Sequence, residues 1–158
     1  MSHDPYALAV PAVPKFAVHS KDFTDGGPLP DTAYQPVSTP PHLSWSGLPG
    51  DTQSLVVTAF DADAPIPGGF WHWAVKDIPP AGGPSLGVLL PNSLGQRKYI
   101  GANPPPGTGT HRVFFCVTAL SVTTLEAPSE ASLALLHIML IPHTLARGII
   151  TGTSTPRD

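Results

Sequence analysis

Short apolar segments alternate along the chain with turns rich in proline and glycine. The segments 54–60 and 70–78 are dense in β-branched, aromatic and other apolar residues, and each is followed by acidic, glycine or proline residues. Runs of this length and composition are typical of β-strands. The pattern predicts six strands, the last of them the longest, within residues 15–20, 43–49, 54–60, 70–78, 97–101 and 111–122.

The segment 70–78, with the sequence FWHWAVKDI, has a histidine between two tryptophans. Side chains alternate between the two faces of a regular strand. One face should carry Phe70, His72, Ala74 and Lys76, and the other Trp71, Trp73 and Val75. This pattern predicts that the histidine lies opposite both tryptophans.

Helical spacing appears only near the end of the chain. Apolar residues there recur at helical intervals, with Ser129 as the predicted N-cap and Glu130 in the first turn. Pro142 should kink or restart this helix. The segment 143–153 is predicted to form another turn or two and a short extended end. The apolar positions of the helix are Leu133, Leu136, Met139 and Leu140.

Length and composition favour one mainly β domain spanning residues 1–158. A chain of 158 residues can bury about two thirds of its unfolded surface. With 21 prolines, 15 glycines and only 12% charged residues, the composition suits short strands joined by many turns. Residues 1–14 contain several prolines and are predicted to be an extended N-terminal arm.

Charge and hydropathy exclude several classes of protein. The net charge is -3 and no run of basic residues exceeds two, so a general nucleic-acid binder is not expected. No apolar stretch approaches the roughly 18 residues of a membrane span, and prolines interrupt the first residues where a signal peptide would be continuous. The one cysteine, Cys116, lies in an apolar run and cannot form an intrachain disulfide. A cytoplasmic location is therefore expected.

Two acids, Asp61 and Asp63, directly follow a predicted buried strand. They could cap a turn, or act in a phosphatase with the first as nucleophile and the second as general acid and base. Alternatively, one of them could bind a metal together with His72 and His111. The phosphatase chemistry normally needs an α/β sheet, but no helical period occurs between Asp63 and residue 125. The metal site lacks a closely spaced histidine pair. Turn capping remains the simplest interpretation of the two acids alone.

The loop 103–112, with the sequence NPPPGTGTHR, supplies a second group of candidates. Gly107 and Gly109 allow backbone to approach a ligand closely, and amides near His111 and Arg112 could donate to an anion. Because His72 and His111 both adjoin glycine- and proline-rich loops, they are predicted to share the rim of one site.

Together these segments resemble the phosphatidylethanolamine-binding protein family, which includes Raf kinase inhibitor protein and its bacterial relatives. DADAPIPGGFWHWAVKDIP and YIGANPPPGTGTHRVFFCVTAL resemble the two family signatures, while LSWSGLP and HTLARGIITGT are similar to the bacterial branch. Their order and spacing agree over nearly the whole chain. The resemblance implies two antiparallel sheets with a Greek-key element, a short C-terminal helical region and a small anion pocket.

The resemblance also implies the residues of that pocket. Imidazoles of His72 and His111 would donate to an anion, with a carboxylate behind each ring fixing its tautomer. Arg112 would support the site by ion pairing. The full implied set is Asp61, Asp63, Ala64, Pro65, His72, Asn103, Pro104, Pro105, His111 and Arg112.

Three residues depart from the family pattern. Ala62 replaces a proline between the two acids and is expected to loosen the turn. Asn103 replaces a small residue and would narrow the pocket or donate to a ligand. Val113 stands where eukaryotic members often carry a tyrosine, which removes one polar contact.

The function implied is non-enzymatic binding of a small anion: phosphate, a carboxylate or a phospholipid headgroup. No catalytic residue, metal or cofactor is expected, and neither is stable membrane insertion. Family analogy adds a protein kinase or serine protease as a regulated partner, and a homodimer as the assembly. The alternative is a phosphate-ester hydrolase or metal-dependent protein using Asp61, Asp63, His72 and His111.

Overall fold

Two antiparallel sheets and one short helix make up the computed structural model, which describes residues 4–157. The strands are β1 (Ala17–His19), β2 (Ser44–Ser46), β3 (Ser54–Asp61), β4 (Phe70–Ile78), β5 (Val88–Leu89), β6 (His111–Leu120) and β7 (Thr144–Ser154). The helix is α1 (Leu133–Leu140), and single 3-10 turns occur at Asp31–Ala33, Pro84–Leu86 and Ile141–His143.

The larger sheet has the strand order β5-β4-β3-β6-β7, and β1 pairs with β2 in the smaller one. Strands β3, β4 and β5 follow one another in space, and β6 returns over a long connection to lie beside β3. This order is that of a Greek key. The predicted mainly β fold, with two antiparallel sheets and a Greek-key element, is confirmed.

Apolar side chains pack on both faces of the larger sheet. The main core joins it to the smaller sheet through residues such as Val18, Val57 and Phe115. A second cluster, including Val56 and Leu136, lies under α1 on the opposite face. Because both faces of the sheet are buried, the sequences of β3 and β6 are almost continuously apolar instead of alternating with polar residues.

Strand β7 corrects the prediction for 143–153. The segment is an 11-residue strand paired with the whole of β6, and it, not β6, is the longest strand. Its buried positions alternate and include Gly148 and Gly152. A Cβ on Gly148 would lie 2.8 Å from the carbonyl oxygen of Phe16 and 2.7 Å from a methyl group of Val18. Glycine weakens the strand signal in the sequence, but here it allows close packing.

The predicted strand at 97–101 is wrong. The side chain of Asn92 accepts hydrogen bonds from the amides of Leu94 and Gln96 and donates to the carbonyl of Lys98, which holds the preceding chain in a loop. Tyr99 then points into the core, where its hydroxyl donates to a backbone carbonyl. The short strand β5 was not predicted.

The helix and the N-terminal arm also differ from expectation in detail. Helix α1 begins after Ser132, not Ser129, and the Ser132 hydroxyl accepts from the amide of Leu135. It ends at Leu140, two residues before the predicted break. The arm forms turns over residues 5–8 before it extends, and its first three residues lie outside the described range. Within residues 4–157, no helix is long and apolar enough to cross a membrane.

An irregularity in β4 changes the faces on which its aromatic residues lie. The register shifts by one residue where Trp71 and Trp73 pair with successive residues of β3. His72 and Trp73 therefore both contact the Tyr99 ring, with centroids 6.4 and 5.7 Å away. Trp71 instead packs on His137 of α1. The prediction that the histidine lies opposite both tryptophans holds for Trp71 and is wrong for Trp73.

Candidate functional site

A cavity of about 250 Å³ opens where β3 ends and where β4 and β6 begin. Eight of the ten predicted site residues line it: Asp61, Ala64, Pro65, His72, Asn103, Pro104, Pro105 and His111. Asp63 and Arg112 lie beside it without lining it. Antiparallel pairing brings the end of β3 and the start of β6 to one edge of the sheet, which is why residues 50 positions apart meet there.

Asp61 and His111 form a buried pair at the base of this cavity. The Nδ1 of His111 lies 2.7 Å from Oδ2 of Asp61, and the two residues are 0% and 6% exposed. The other carboxylate oxygen accepts from the amide of Asp63 at 2.8 Å. Asp61 therefore orients the imidazole and closes the turn that follows β3.

The second nitrogen of His111 is also engaged within the protein. Its Nε2 lies 2.7 Å from the hydroxyl oxygen of Thr108, and that hydroxyl donates to the carbonyl of Pro105 at 2.7 Å. With the hydroxyl proton directed at Pro105, the Nε2–H of His111 donates to Thr108. A ligand that accepts a hydrogen bond from this nitrogen must therefore compete with Thr108.

His72 is held differently from the expectation that a carboxylate stands behind each imidazole. Its Nδ1 donates to the backbone carbonyl of Ile100 at 2.7 Å, and the residue is 5% exposed. Burial lowers the pKa of the ring below its ordinary value, which favours the neutral form. Nε2 makes no hydrogen bond to any residue of 4–157, and the Phe70 ring flanks the imidazole at 4.7 Å.

Asp63 and Arg112 form an ion pair outside the cavity. One Asp63 oxygen accepts from the backbone amide of Arg112 at 2.9 Å and from its Nε at 2.8 Å, and the other accepts from a terminal guanidinium nitrogen at 2.8 Å. These hydrogen bonds lower the pKa of Asp63. The pair joins the turn after β3 to the start of β6, so it supports the wall of the cavity.

The departures from the family pattern occupy different environments. The turn around Ala62 is closed by the hydrogen bond between Asp63 and Asp61, so both acids keep their places without the proline. Asn103 is exposed at the cavity, where its amide can reach a ligand. Val113 is 1% exposed in the main core and does not line the cavity.

Sequence reasoning missed several residues of the site. Thr108 carries a hydroxyl within the recognised loop, and that local signal could have identified it. Ser154 pairs with His111 across β6 and β7, but its segment was not predicted as a strand. Gln35 bonds to the carbonyl of Gly101 from 66 residues away, so no local pattern marks it. The other unpredicted lining residues are Ile66, Phe70, Leu94, Gly101 and Ala102.

Comparison with known proteins identifies the family. The family model for the phosphatidylethanolamine-binding protein matches residues 19–155. The chain belongs to the phosphatidylethanolamine-binding protein family. That match includes all ten predicted site residues.

Relatives in this family include two Escherichia coli proteins. YbhB is 36% identical over 152 residues, which cover 84% of this chain and 96% of YbhB. YbcL is 37% identical over 128 residues, which cover 72% of this chain and 70% of YbcL. The crystal structure of YbcL, described as a member of the mammalian family, superposes with a TM-score of 0.80 at 30% identity, covering 90% of this chain and 99% of the other.

A Chlamydia trachomatis homologue of the family superposes equally well. Its TM-score is 0.81 at 27% identity, again over 90% of this chain and 99% of the other. The phosphatidylethanolamine-binding protein from Plasmodium vivax shares the fold at 16% identity, with a TM-score of 0.63 over 94% of this chain and 91% of the other. The fold is therefore kept across widely different sequences.

Proposed function

We propose that this protein binds a small oxyanion, of the phosphate or carboxylate type, in the cavity beside His72 and His111 and does not convert it chemically. The observation that carries this proposal is the cavity itself, in which two imidazoles from different strands meet beside a proline-rich loop. Its volume of about 250 Å³ suits a headgroup or a free anion better than a drug-sized ligand, whose sites measure roughly 300–1,000 Å³.

The engagement of both acids supports binding without catalysis. Asp61 uses one oxygen on His111 and the other on the Asp63 amide, while Asp63 uses both oxygens on Arg112. An attacking carboxylate needs an oxygen directed at the substrate. A hydrolase would have to break these bonds first. No group of three His, Cys, Asp or Glu side chains is arranged to hold a metal ion within residues 4–157.

The test is a titration with inorganic phosphate followed by NMR of the histidine side chains. Signals of His72 and His111 should shift and saturate together, while exposed His19 on β1 should not move. Ala64→Leu, which fills the cavity wall, should abolish the shifts. Ala62→Leu changes a neighbouring residue that does not line the cavity and should preserve them. Absence of saturable shifts, or turnover of a phosphate ester, would overturn the proposal.

A regulated protein partner, a kinase or serine protease, is a second proposal. It is supported by two apolar side chains that line the cavity yet remain exposed, Ile66 at 49% and Leu94 at 56%. Exposed apolar groups beside a pocket are typical of interaction sites. Replacing both by Ser should weaken inhibition of a susceptible enzyme, whereas Val37→Ser, also exposed but away from this cavity, should not. Equal effects of the two changes would contradict this idea.

A cytoplasmic location and a homodimer complete the proposal. The location is supported by the lone, buried Cys116, which needs no oxidising compartment. The dimer is supported by two exposed apolar residues: Ile138 in the last turn of α1 and Ile141 directly after it. Cell fractionation and sedimentation velocity test the two points, and a membrane-bound or monomeric protein would contradict them.

A further inference from the structure

The tautomer of His72 is fixed by a backbone group. Nδ1 lies 2.7 Å from the carbonyl oxygen of Ile100, and a carbonyl oxygen can only accept a hydrogen bond. Nδ1 must therefore carry the hydrogen. A neutral imidazole has only one, so Nε2 is left as a bare acceptor.

The groups that face His72 favour this neutral form on balance. Burial is the largest influence and lowers the pKa of the ring. The Ile100 carbonyl and the Asp61 carboxylate act in the opposite direction, and His111 adds to the lowering. The remaining close neighbours, the rings of Phe70 and Tyr99, carry no charge at neutral pH.

The bare nitrogen is available to a ligand. His72 lines the cavity, and its Nε2 has no hydrogen-bond partner in the described part of the chain. A ligand that places an oxygen without hydrogen against Nε2 sets two lone pairs against each other. A ligand oxygen that bears a hydrogen donates to the same atom, whereas a ligand that cannot donate displaces solvent from Nε2 and leaves this acceptor unpaired, which is costly.

Building on the proposed function, we propose that His72 makes this cavity select oxyanions that carry a hydrogen over oxyanions that carry none. Hydrogen phosphate has an O–H group at neutral pH, whereas sulfate has the same tetrahedral shape without one. A phosphomonoester carries the hydrogen only in its monoanionic form, below a second pKa of about 6. A phosphodiester, the headgroup linkage of a diacyl phospholipid, has no such hydrogen.

Calorimetric titration with four probes tests this selectivity. At pH 7.5, inorganic phosphate should bind about tenfold more tightly than sulfate, since one ligand satisfies Nε2 and the other opposes it. Dimethyl phosphate, the probe for a lipid-type diester, should behave like sulfate. Methyl phosphate should bind better at pH 5.5, where the monoanion predominates, than at pH 7.5. Equal affinities for phosphate and sulfate at pH 7.5 would overturn the inference and leave the proposed function standing.

The pH dependence of sulfate binding separates the titration of the protein from the titration of the ligand. Sulfate does not titrate between pH 5 and 8, so any change in its affinity there reports the protein. Affinity should rise as pH falls through the lowered pKa of His72, because the imidazolium can donate to sulfate. NMR of the His72 ring nitrogens should show Nε2 unprotonated at pH 7.5, and a protonated Nε2 at that pH would overturn the inference.

A substitution provides the matched comparison. His72→Gln places an amide that can rotate to donate or accept, so phosphate and sulfate should then bind within about threefold of each other. If a folded His72→Gln protein kept a tenfold preference for phosphate over sulfate, another group would have to distinguish the two anions, and the inference would be overturned. Failure of all four probes to bind the wild-type protein would overturn the proposed function together with this inference.

Discussion

Replacing Asp61 by alanine should lower the free energy of unfolding by about 3–5 kcal/mol, because it leaves two donors unpaired, at about 1–3 kcal/mol each, and removes a hydrogen-bonded carboxylate. The carboxylate is 6% exposed and its partner His111 is 0% exposed, so water cannot substitute for it. The change leaves Nδ1 of His111 unpaired and also removes the acceptor for the amide of Asp63. Two buried or half-buried donors thus lose their partner at once.

Asp61→Asn should cost less, about 1.5–3 kcal/mol, because it removes the charge but keeps two hydrogen bonds. The carboxamide oxygen can still accept from the Asp63 amide, and its NH₂ group can donate to Nδ1 of His111. The imidazole then carries its hydrogen on Nε2, which already faces the Thr108 oxygen at 2.7 Å. Both variants lose the charge, so the difference between their free energies of unfolding measures the cost of leaving hydrogen-bonding groups unpaired.

Urea denaturation at pH 7, extrapolated linearly to water, measures both free energies. Asp51→Ala, at an exposed aspartate whose side chain makes no described hydrogen bond, is the control and should stay within about 0.5 kcal/mol of wild type. NMR of His111 should show Nδ1 without hydrogen in the Asn variant. Equal losses in the Ala and Asn variants, or losses below about 1 kcal/mol in both, would refute the assignment of Asp61 as a buried structural support.

Three further predictions concern the loop, the outer ion pair and β7. Thr108→Val should tighten binding of inorganic phosphate about fivefold by calorimetry, since it frees Nε2 of His111; weaker binding would mean that the hydroxyl positions the ring instead. Because hydrogen bonds lower the pKa of Asp63, its contribution to stability is present above the unfolded value of about 3.9 and is lost as pH falls through the lowered pKa. Asp63→Asn should therefore reduce the acid loss of stability seen by urea denaturation below pH 4, with an effect of at most about 1 kcal/mol at pH 7; an unchanged acid profile would contradict this. Gly148→Ala should cost about 1–3 kcal/mol because its Cβ meets the backbone and ring of Phe16 and the side chain of Val18, whereas Gly83→Ala, which has open space around it, should be near neutral; equal thermal stability of the two would count against close packing at β7.

The site was predictable where local chemistry and topology act together. Asp61 ends a strand of eight residues, Asp63 lies two residues beyond it, and His111 begins the strand that pairs with it. Antiparallel pairing then forces these ends to meet. A sequence that marks both strands by apolar content therefore also places Asp61 and His111 on one edge, and the resemblance to a family added their roles.

The remaining structure depends on contacts that local patterns do not record. Strand β7 was missed because Gly148 and Gly152 lack the bulk that marks a strand. Phe16 and Val18 occupy the space beside Gly148, and Phe23 and Leu29 occupy the space beside Gly152. The false strand at 97–101 has suitable residues, but hydrogen bonds of the Asn92 side chain hold the preceding chain in a loop. In both cases packing or side-chain bonding outweighs intrinsic propensity.

The irregularity in β4 has the largest chemical consequence of these unpredicted features. At this irregularity the rings of both His72 and Trp73 contact Tyr99. The imidazole then lies against the segment that carries Ile100. A carbonyl, and not a carboxylate, then sits behind the ring. An ionised carboxylate stabilises a charged imidazole, whereas burial against a carbonyl favours a neutral ring, and at His72 this leaves Nε2 bare. The two histidines of the cavity therefore differ in hydrogen-bonding character, because Nδ1 faces a backbone carbonyl at His72 and a carboxylate at His111.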